Sequence, residues 1–292
     1  MFNLLKRFSF FIILNIVFIA TVSLIIYFFG LNRYMTANGI DYETLAFFCL
    51  VWGFTGAFFS LFLSKFIAKK TMGVILYDEN HKIYRMVDEL SKRAGIKTPE
   101  VGYYYSMDIN AFATGWSKNN SLVAVSMGLV HQMNEDEIKG VLGHEIAHIS
   151  NGDMVTMTLV QGLVNSFVMF FARVLAKVVT SIILKDKDGK SDFINFLLVF
   201  CFEICLGLLG LMITSYYSRV REFKADKEGA RLAGRRQMIM ALEALKKDNF
   251  ISDSMSSEKM AAFKINSKSK LMKLFSTHPD LDCRIKKLKS CE

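Results

Sequence analysis

Apolar positions in this chain fall into long uninterrupted runs and shorter periodic stretches, and the two alternate. Phe8 to Asn32 carries no charge, and neither does Thr44 to Ser64. Each run is long enough for the roughly 20 apolar residues that a membrane-crossing helix needs. A cleaved leader would have a shorter apolar core and a small-residue cleavage site after it. No good Ala-x-Ala site follows, so the first run is expected to be an uncleaved span. Lys6 and Arg7 precede it, and Lys65, Lys69 and Lys70 follow the second. By the positive-inside rule both clusters lie in the cytoplasm, which makes the two runs a hairpin. Gly53 and Gly56 lie in the second run, where small residues can let membrane helices approach closely.

Residues 71–153 read differently. Ile83, Met86, Val87 and Leu90 repeat at helical spacing, and Gly95 stops that helix. Val101–Tyr105 and Ser121–Ser126 are rich in β-branched and aromatic residues and read as short strands. Together they suggest a small antiparallel sheet. Asn134 caps the next helix, with Glu137 completing a capping box and Met133 and Ile138 placed as a hydrophobic staple. A third uncharged run, Met154–Ala172, is punctuated by Thr156, Thr158, Gln161, Asn165 and Ser166, so a full crossing is less clear from pattern alone. After the charged loop Lys185–Asp192, the stretch up to Arg219 holds a single charge, Glu203. A carboxylate there is either functional or paired with a neighbouring helix. Beyond it the chain is Lys-rich, with a Ser-rich stretch at 252–258 expected to be mobile. The Thr277–Asp280 turn then leads into a last amphipathic helix bearing Leu281, Ile285 and Leu288.

Composition agrees with membrane residence. Hydrophobic residues make up 52% of the chain, and Lys plus Arg exceed Asp plus Glu by 36 to 27, for a net charge of +9. No zinc-finger spacing, Gly-rich phosphate loop or basic-aromatic patch supports nucleic-acid binding. The five cysteines, Cys49, Cys201, Cys205, Cys283 and Cys291, are unclustered, which argues against a disulfide framework.

Candidate chemistry concentrates in Gly143–Ser150, which reads His144-Glu145-x-x-His148. Residues four apart share a helix face, so both imidazoles can point at one ion, and Glu145 can reach a water beside it. Two histidines with a third protein ligand and an open position make a catalytic zinc site. The helix continues with Asn151 and Met154 where one zinc family has Gly and His, so the third ligand lies elsewhere. The candidates are Glu222, Asp226, Asp153 and His278. Asp153 would turn away from the pair on a continuing helix. Glu222 is favoured, because it can reach in from a neighbouring helix. Asp226, one turn later, is placed to hold the outer nitrogen of a ligand histidine.

The segments Asn110–Gly115, Val141–Asp153, Ser218–Ala230 and Ser276–Pro279 together resemble the HtpX-type membrane-bound zinc metalloproteases, a group related to the CAAX prenyl endopeptidases. The resemblance covers nearly the whole chain. It implies a mainly α membrane protein, with four hydrophobic helices plus a zincin-like α+β catalytic domain carrying a small β-sheet. The expected division is a transmembrane hairpin at 1–70, a first catalytic part at 71–153, the third and fourth hydrophobic helices at 154–217, and a second catalytic part at 218–292. It implies one Zn2+ per chain on His144, His148 and Glu222, with Glu145 as the catalytic carboxylate. Asp226, His278, Arg219 and Asn110 are then expected to support the ligands or substrate. It also implies a multi-pass protein of the cytoplasmic membrane with its catalytic domain in the cytoplasm. Its substrates would be misfolded or unassembled membrane proteins and other unfolded polypeptides, and its partners those of membrane-protein quality control. Asp280 and Lys224 depart from the usual pattern without touching an expected ligand.

Under this reading Glu145 acts as general base and later protonates the leaving amine. His278 either binds the oxyanion or is a structural turn residue. A peptide is expected to add to the exposed edge of the strand at 121–126, so Ala124→Pro would weaken cleavage. A metal-binding scaffold would not need Glu145. A transporter built on Glu203 lacks broken helices in paired halves. A prenyl-dependent endopeptidase would need more helices to enclose a lipid.

Overall fold

The structure is a computed structural model that describes residues 42–183, 190–259 and 274–290. The expected span Phe8–Asn32 and most of the loop after Leu184 lie outside these residues. The chain divides into two compact units, one of residues 1–60 and 156–214 and the other of residues 61–155 and 215–292.

Three helices among the described residues are long and apolar enough to cross a membrane. These are α1 (Tyr42–Met72), α5 (Asp153–Ile183) and α6 (Lys190–Ala233). The punctuated third run is thus part of one unbroken helix. In the first unit, Gly53 lets α1 approach α5. A Cβ at Gly53 would lie 2.5 Å from Ser166 Oγ and 3.0 Å from the Gly162 carbonyl oxygen. Among the described residues nothing lies within 4 Å of a Cβ placed at Gly56, so the approach of α1 to α5 is made at Gly53. Cys49, Ala46, Phe170 and Val174 form a small buried cluster. Glu203 is paired: Arg173 donates to it at 2.9 Å and to the Met169 carbonyl.

The second unit holds a four-stranded sheet. Its strands are β1 (Ile75–Leu76), β2 (Glu100–Tyr104), β3 (Ala111–Ser117) and β4 (Asn120–Ser126), in the order β1-β2-β4-β3. The sheet is mixed, not antiparallel: β4 runs parallel to β2 and antiparallel to β3. A further expectation fails here. The strand at 121–126 is interior and hydrogen-bonded on both sides, so it offers no free edge to a peptide. The segment Ala111–Ser117 is itself a strand. Its Ala and Gly content gives weak strand propensity, and pairing with β4 overrides that.

Helix α2 (Lys82–Ala94) starts at His81, whose Nδ1 accepts from the Ile83 amide, and ends at Gly95 in the left-handed conformation. It buries Ile83, Val87 and Leu90 against Val101, Val123 and Val125 of the sheet. A short helix, α3 (Met127–Gln132), leads to α4 (Glu135–Asn151), whose capping box between Asn134 and Glu137 is fully formed. Helix α4 contributes Leu142, Ile146 and Ile149 to the same core. Its outer side packs on α7 (Arg235–Lys259) across Gly140, where a Cβ would come within 2.3 Å of the Gln237 carbonyl oxygen. The backbone of α7 stays helical through the Ser-rich 252–258. A final helix, α8 (Leu281–Ser290), packs Ile285 and Leu288 on Met238 and Leu242.

Candidate metal centre

Helix α4 carries His144, Glu145 and His148 on its middle turns. Its packing on α2, β3 and α7 fixes the height and rotation of those turns. The apolar neighbours Leu142, Ile146 and Ala147 are fully buried. Helix α6 brings in Glu222 and, one turn later, Asp226, both 2% exposed. His144 Nε2 and His148 Nε2 are 3.1 Å apart. Glu222 places one carboxylate oxygen 3.4 Å from His144 Nε2 and the other 3.2 Å from His148 Nε2. Three donors at about 2.0–2.1 Å from a tetrahedral ion would stand about 3.3 Å apart. The spacing and the two-imidazole, one-carboxylate donor set therefore fit a zinc-type ion, and the three atoms lie within 4.8 Å of one another.

Both histidines turn their other nitrogen outward to a carboxylate. His144 Nδ1 lies 3.1 Å from Asp226, and His148 Nδ1 lies 2.6 Å from Asp153. Such contacts fix the tautomer that leaves Nε2 free to bind metal. The place of Asp153 is a correction. It does not turn away from the pair, because α4 does not continue. Gly152 adopts a left-handed conformation (φ 70°) after Asn151, and the chain restarts as α5 with Asp153 swung back to His148. Arg221 Nε lies 3.4 Å from the same carboxylate.

Arg284 is a residue that motif reading does not single out. It is 6% exposed and donates twice to Asp226, from Nε at 2.8 Å and from Nη2 at 2.6 Å. Its Nη1 is 3.4 Å from Glu222. The sequence held a signal: Arg284 shares the helix face of Leu281, Ile285 and Leu288, where a lone cation is out of place.

The remaining expected residues are spread around this cluster. His278 is exposed, yet its Nδ1 lies 2.9 Å from Glu222. Arg219 acts on the neighbouring segment. It donates to the carbonyls of Leu274 (3.0 Å) and Ser276 (2.6 Å), and so holds the segment that leads to His278. Asn110 stands at the head of β3, with its backbone bonded to Ser126.

The electrostatics follow from burial and these contacts. Burial pushes the Glu145 carboxyl up, the Glu222 charge adds to this, and the two histidines oppose it. Burial would also raise Glu222, but hydrogen bonds from His144, His148 and His278 hold it far below the usual carboxylate range. His148, despite burial, is pushed up to about 9 by Asp153 and Glu222. Asp226 is held low by Arg284 and His144 against the effect of burial.

Span-length helices in a chain that also carries a helix-borne His-Glu-x-x-His, with a carboxylate supplied by a second helix, define the class of membrane metallopeptidases. The sequence model of peptidase family M48 matches residues 78–292, and the chain belongs to that family. It is accordingly an enzyme, a metalloprotease that hydrolyses peptide bonds. Protease HtpX of Cellvibrio japonicus (strain Ueda107) is 43% identical over 97% of this chain and 98% of its own length. A Protease HtpX homolog of Methylacidiphilum infernorum (isolate V4) is 46% identical, over 97% of this chain and 98% of that protein. Among solved structures, the crystal structure of S. mikatae Ste24p superposes with a TM-score of 0.64 at 19% identity. That match covers 96% of this chain and 67% of the Ste24p chain, and shows a shared fold.

Proposed function

We propose that the chain is a zinc-dependent endopeptidase of the cytoplasmic membrane, which cleaves misfolded or unassembled membrane proteins and other unfolded polypeptides at the cytoplasmic face. One observation carries the reading: two imidazole nitrogens and the Glu222 carboxylate converge at ion-binding separations, with Glu145 beside them on the same helix. Zinc held by His144, His148 and Glu222 would supply Lewis-acid polarisation of a carbonyl and a water acidified to a pKa of about 7. Asp226 and Asp153, each beside an Nδ1, would accept from the Nδ1–H of the two ligand imidazoles and keep Nε2 turned toward the ion. Glu145, raised by burial, takes a proton on its carboxylate from the attacking water and returns it to the leaving nitrogen. Lys65, Lys69 and Lys70 at the end of α1 support the cytoplasmic placement.

Strand β3 supports an unfolded chain as substrate. It is the outermost strand of the sheet on the side away from β1, and it packs against α4. A peptide adding to Ala111–Thr114 would be bound through its main chain, which tolerates varied side chains. The test is metal removal. Chelation should abolish casein cleavage, and about one zinc per chain should restore it. Full cleavage by protein shown to be free of metal would overturn the reading.

A further inference from the structure

The tip of the β3–β4 hairpin carries a tryptophan that the chemistry above does not use. Trp116 is 42% exposed and lies on the Phe62 ring, with the centroids 5.8 Å apart. Phe62 and Phe66 are each 63% exposed and share one face of α1 with Lys65 and Lys69. The same turns of α1 hold the sheet. Lys65 donates to Asn120 at 2.8 Å and pairs with Glu100 at 2.8 Å, and Lys69 pairs with the other Glu100 oxygen. The hairpin tip is therefore seated on one level of α1. That level is the point where the uncharged run Thr44–Ser64 gives way to Lys65, Lys69 and Lys70. Tryptophan with flanking lysine is the side-chain set enriched at the membrane–water boundary, where an amphipathic ring meets the headgroups.

We infer that Trp116 is an anchor in the lipid headgroup region, and that it pins β3 at the bilayer surface. The partner is the headgroup–acyl boundary of the membrane that α1 crosses. Continuity with the end of the apolar run on α1 argues for lipid over a protein partner. The consequence for substrate choice rests on the protease reading. From Trp116 back to Ala111, a strand spans about 17 Å at about 3.3 Å per residue. The free edge of β3 thus lies within one strand length of the bilayer. The chains it takes up are segments that have just left the membrane, not chains presented from bulk solution.

The chain has two tryptophans, so Trp52→Phe leaves Trp116 as the only indole. The full-length W52F protein would be placed in phosphatidylcholine–phosphatidylglycerol vesicles. Their lipids would carry bromine either near the headgroup end or near the methyl end of the acyl chain. Trp116 emission should fall about twofold or more with headgroup-end bromine and clearly less with methyl-end bromine. Emission unchanged by either lipid, as a water-exposed or protein-covered indole would give, overturns the anchor. Stronger quenching by methyl-end bromine does so as well. If W52F is not recovered folded, the difference in quenching between wild type and Trp116→Tyr gives the same information. For substrate selection, one target segment would be offered both as a free peptide and a few residues beyond a transmembrane helix in the same vesicles. The tethered-to-free cleavage ratio should drop on the order of tenfold in Trp116→Ser, because β3 is then no longer pinned where a tethered segment leaves the bilayer and its effective concentration at the edge falls. Trp116→Tyr should restore it. An unchanged ratio overturns the selection claim. If neither substrate shows chelator-sensitive cleavage, the protease reading fails while the quenching result still decides the anchor.

Discussion

Glu222 and Asp226 lie buried one helical turn apart on α6, and Arg284 reaches both. Two carboxylates so close and so dry need a compensating cation, and Arg284 supplies it before any metal is counted. Removing one partner of a buried pair typically costs about 3–5 kcal/mol, because the other charge is left unpaired. Arg284→Ala should therefore lower thermal stability well beyond the effect of an exposed Arg→Ala change, as a melting curve of the purified protein would show. A loss no larger than that of Arg235→Ala would contradict the role. Asp153 acts differently, through His148 Nδ1, with Arg221 beside the same carboxylate. Asp153→Asn should leave the fold intact and weaken metal affinity about 10- to 100-fold, as read by competition with a zinc chelator. The residues of the motif itself were legible, because helical spacing dictates that His144 and His148 share a face. Asp153 was not, since its approach depends on the left-handed Gly152. Arg284 comes from a distant helix, and no local pattern ties it to Asp226.

At the scale of elements, one close contact positions the turns that bear the histidines, and another ties the sheet to α1. One is the close approach of α4 and α7 at Gly140. A methyl group there would meet the backbone of Gln237 at 2.3 Å, so the helices must separate. Gly140→Ala should destabilise the protein by about 1–3 kcal/mol, the range for overpacking, although alanine is the better helix former. An unchanged or raised melting temperature would refute this. The other contact joins β2 to α1 through Glu100. Burial would raise this carboxyl, but Lys65 and Lys69 hold it below its ordinary value. A carboxylate depressed in the folded state stabilises above its unfolded pKa, near 4.5, and loses that contribution as pH falls through the folded value. The melting temperature of Glu100→Gln should lie below that of wild type at pH 7, with the gap closing as the pH drops under about 4.5. A gap independent of pH would mean that the ion pairs contribute nothing.

Helix ends were the most readable elements. The Asn134–Glu137 capping box and the Gly95 stop stand where their chemistry places them. Strand order was the least readable, because pairing is decided by partners far along the chain. Ser121–Ser126 has the strongest strand pattern for the reason that it lies in the middle of the sheet, buried on both sides. The free edge falls to the weak-looking Ala111–Ser117. Ala124→Pro would thus break the interior of the sheet and could not report on edge binding.

For the molecule as a whole, hydrophobic runs and one short motif carry most of the information. Uncharged length foretells the span-length helices α1 and α6, whereas the polar residues in the third run obscured α5, and the +9 net charge is consistent with lysine-rich segments beside a membrane. The helix–sheet unit that holds the centre is assembled from both ends of the chain, with α4 from one side of the hydrophobic pair α5–α6 and Glu222, Asp226 and Arg284 from the other. The motif alone could not show this assembly. It is what brings the Glu222 carboxylate to the two histidines, with Glu145 beside them on α4.

The role of Glu145 is the claim most open to direct measurement. Wild type and Glu145→Gln, purified in the same mild detergent, would be compared for zinc content and casein cleavage. About one zinc per chain is expected in both, with cleavage in the variant lower by a factor of about 10²–10⁴ or more, as for a lost general base. A zinc-loaded variant that cleaves as fast as wild type would contradict it.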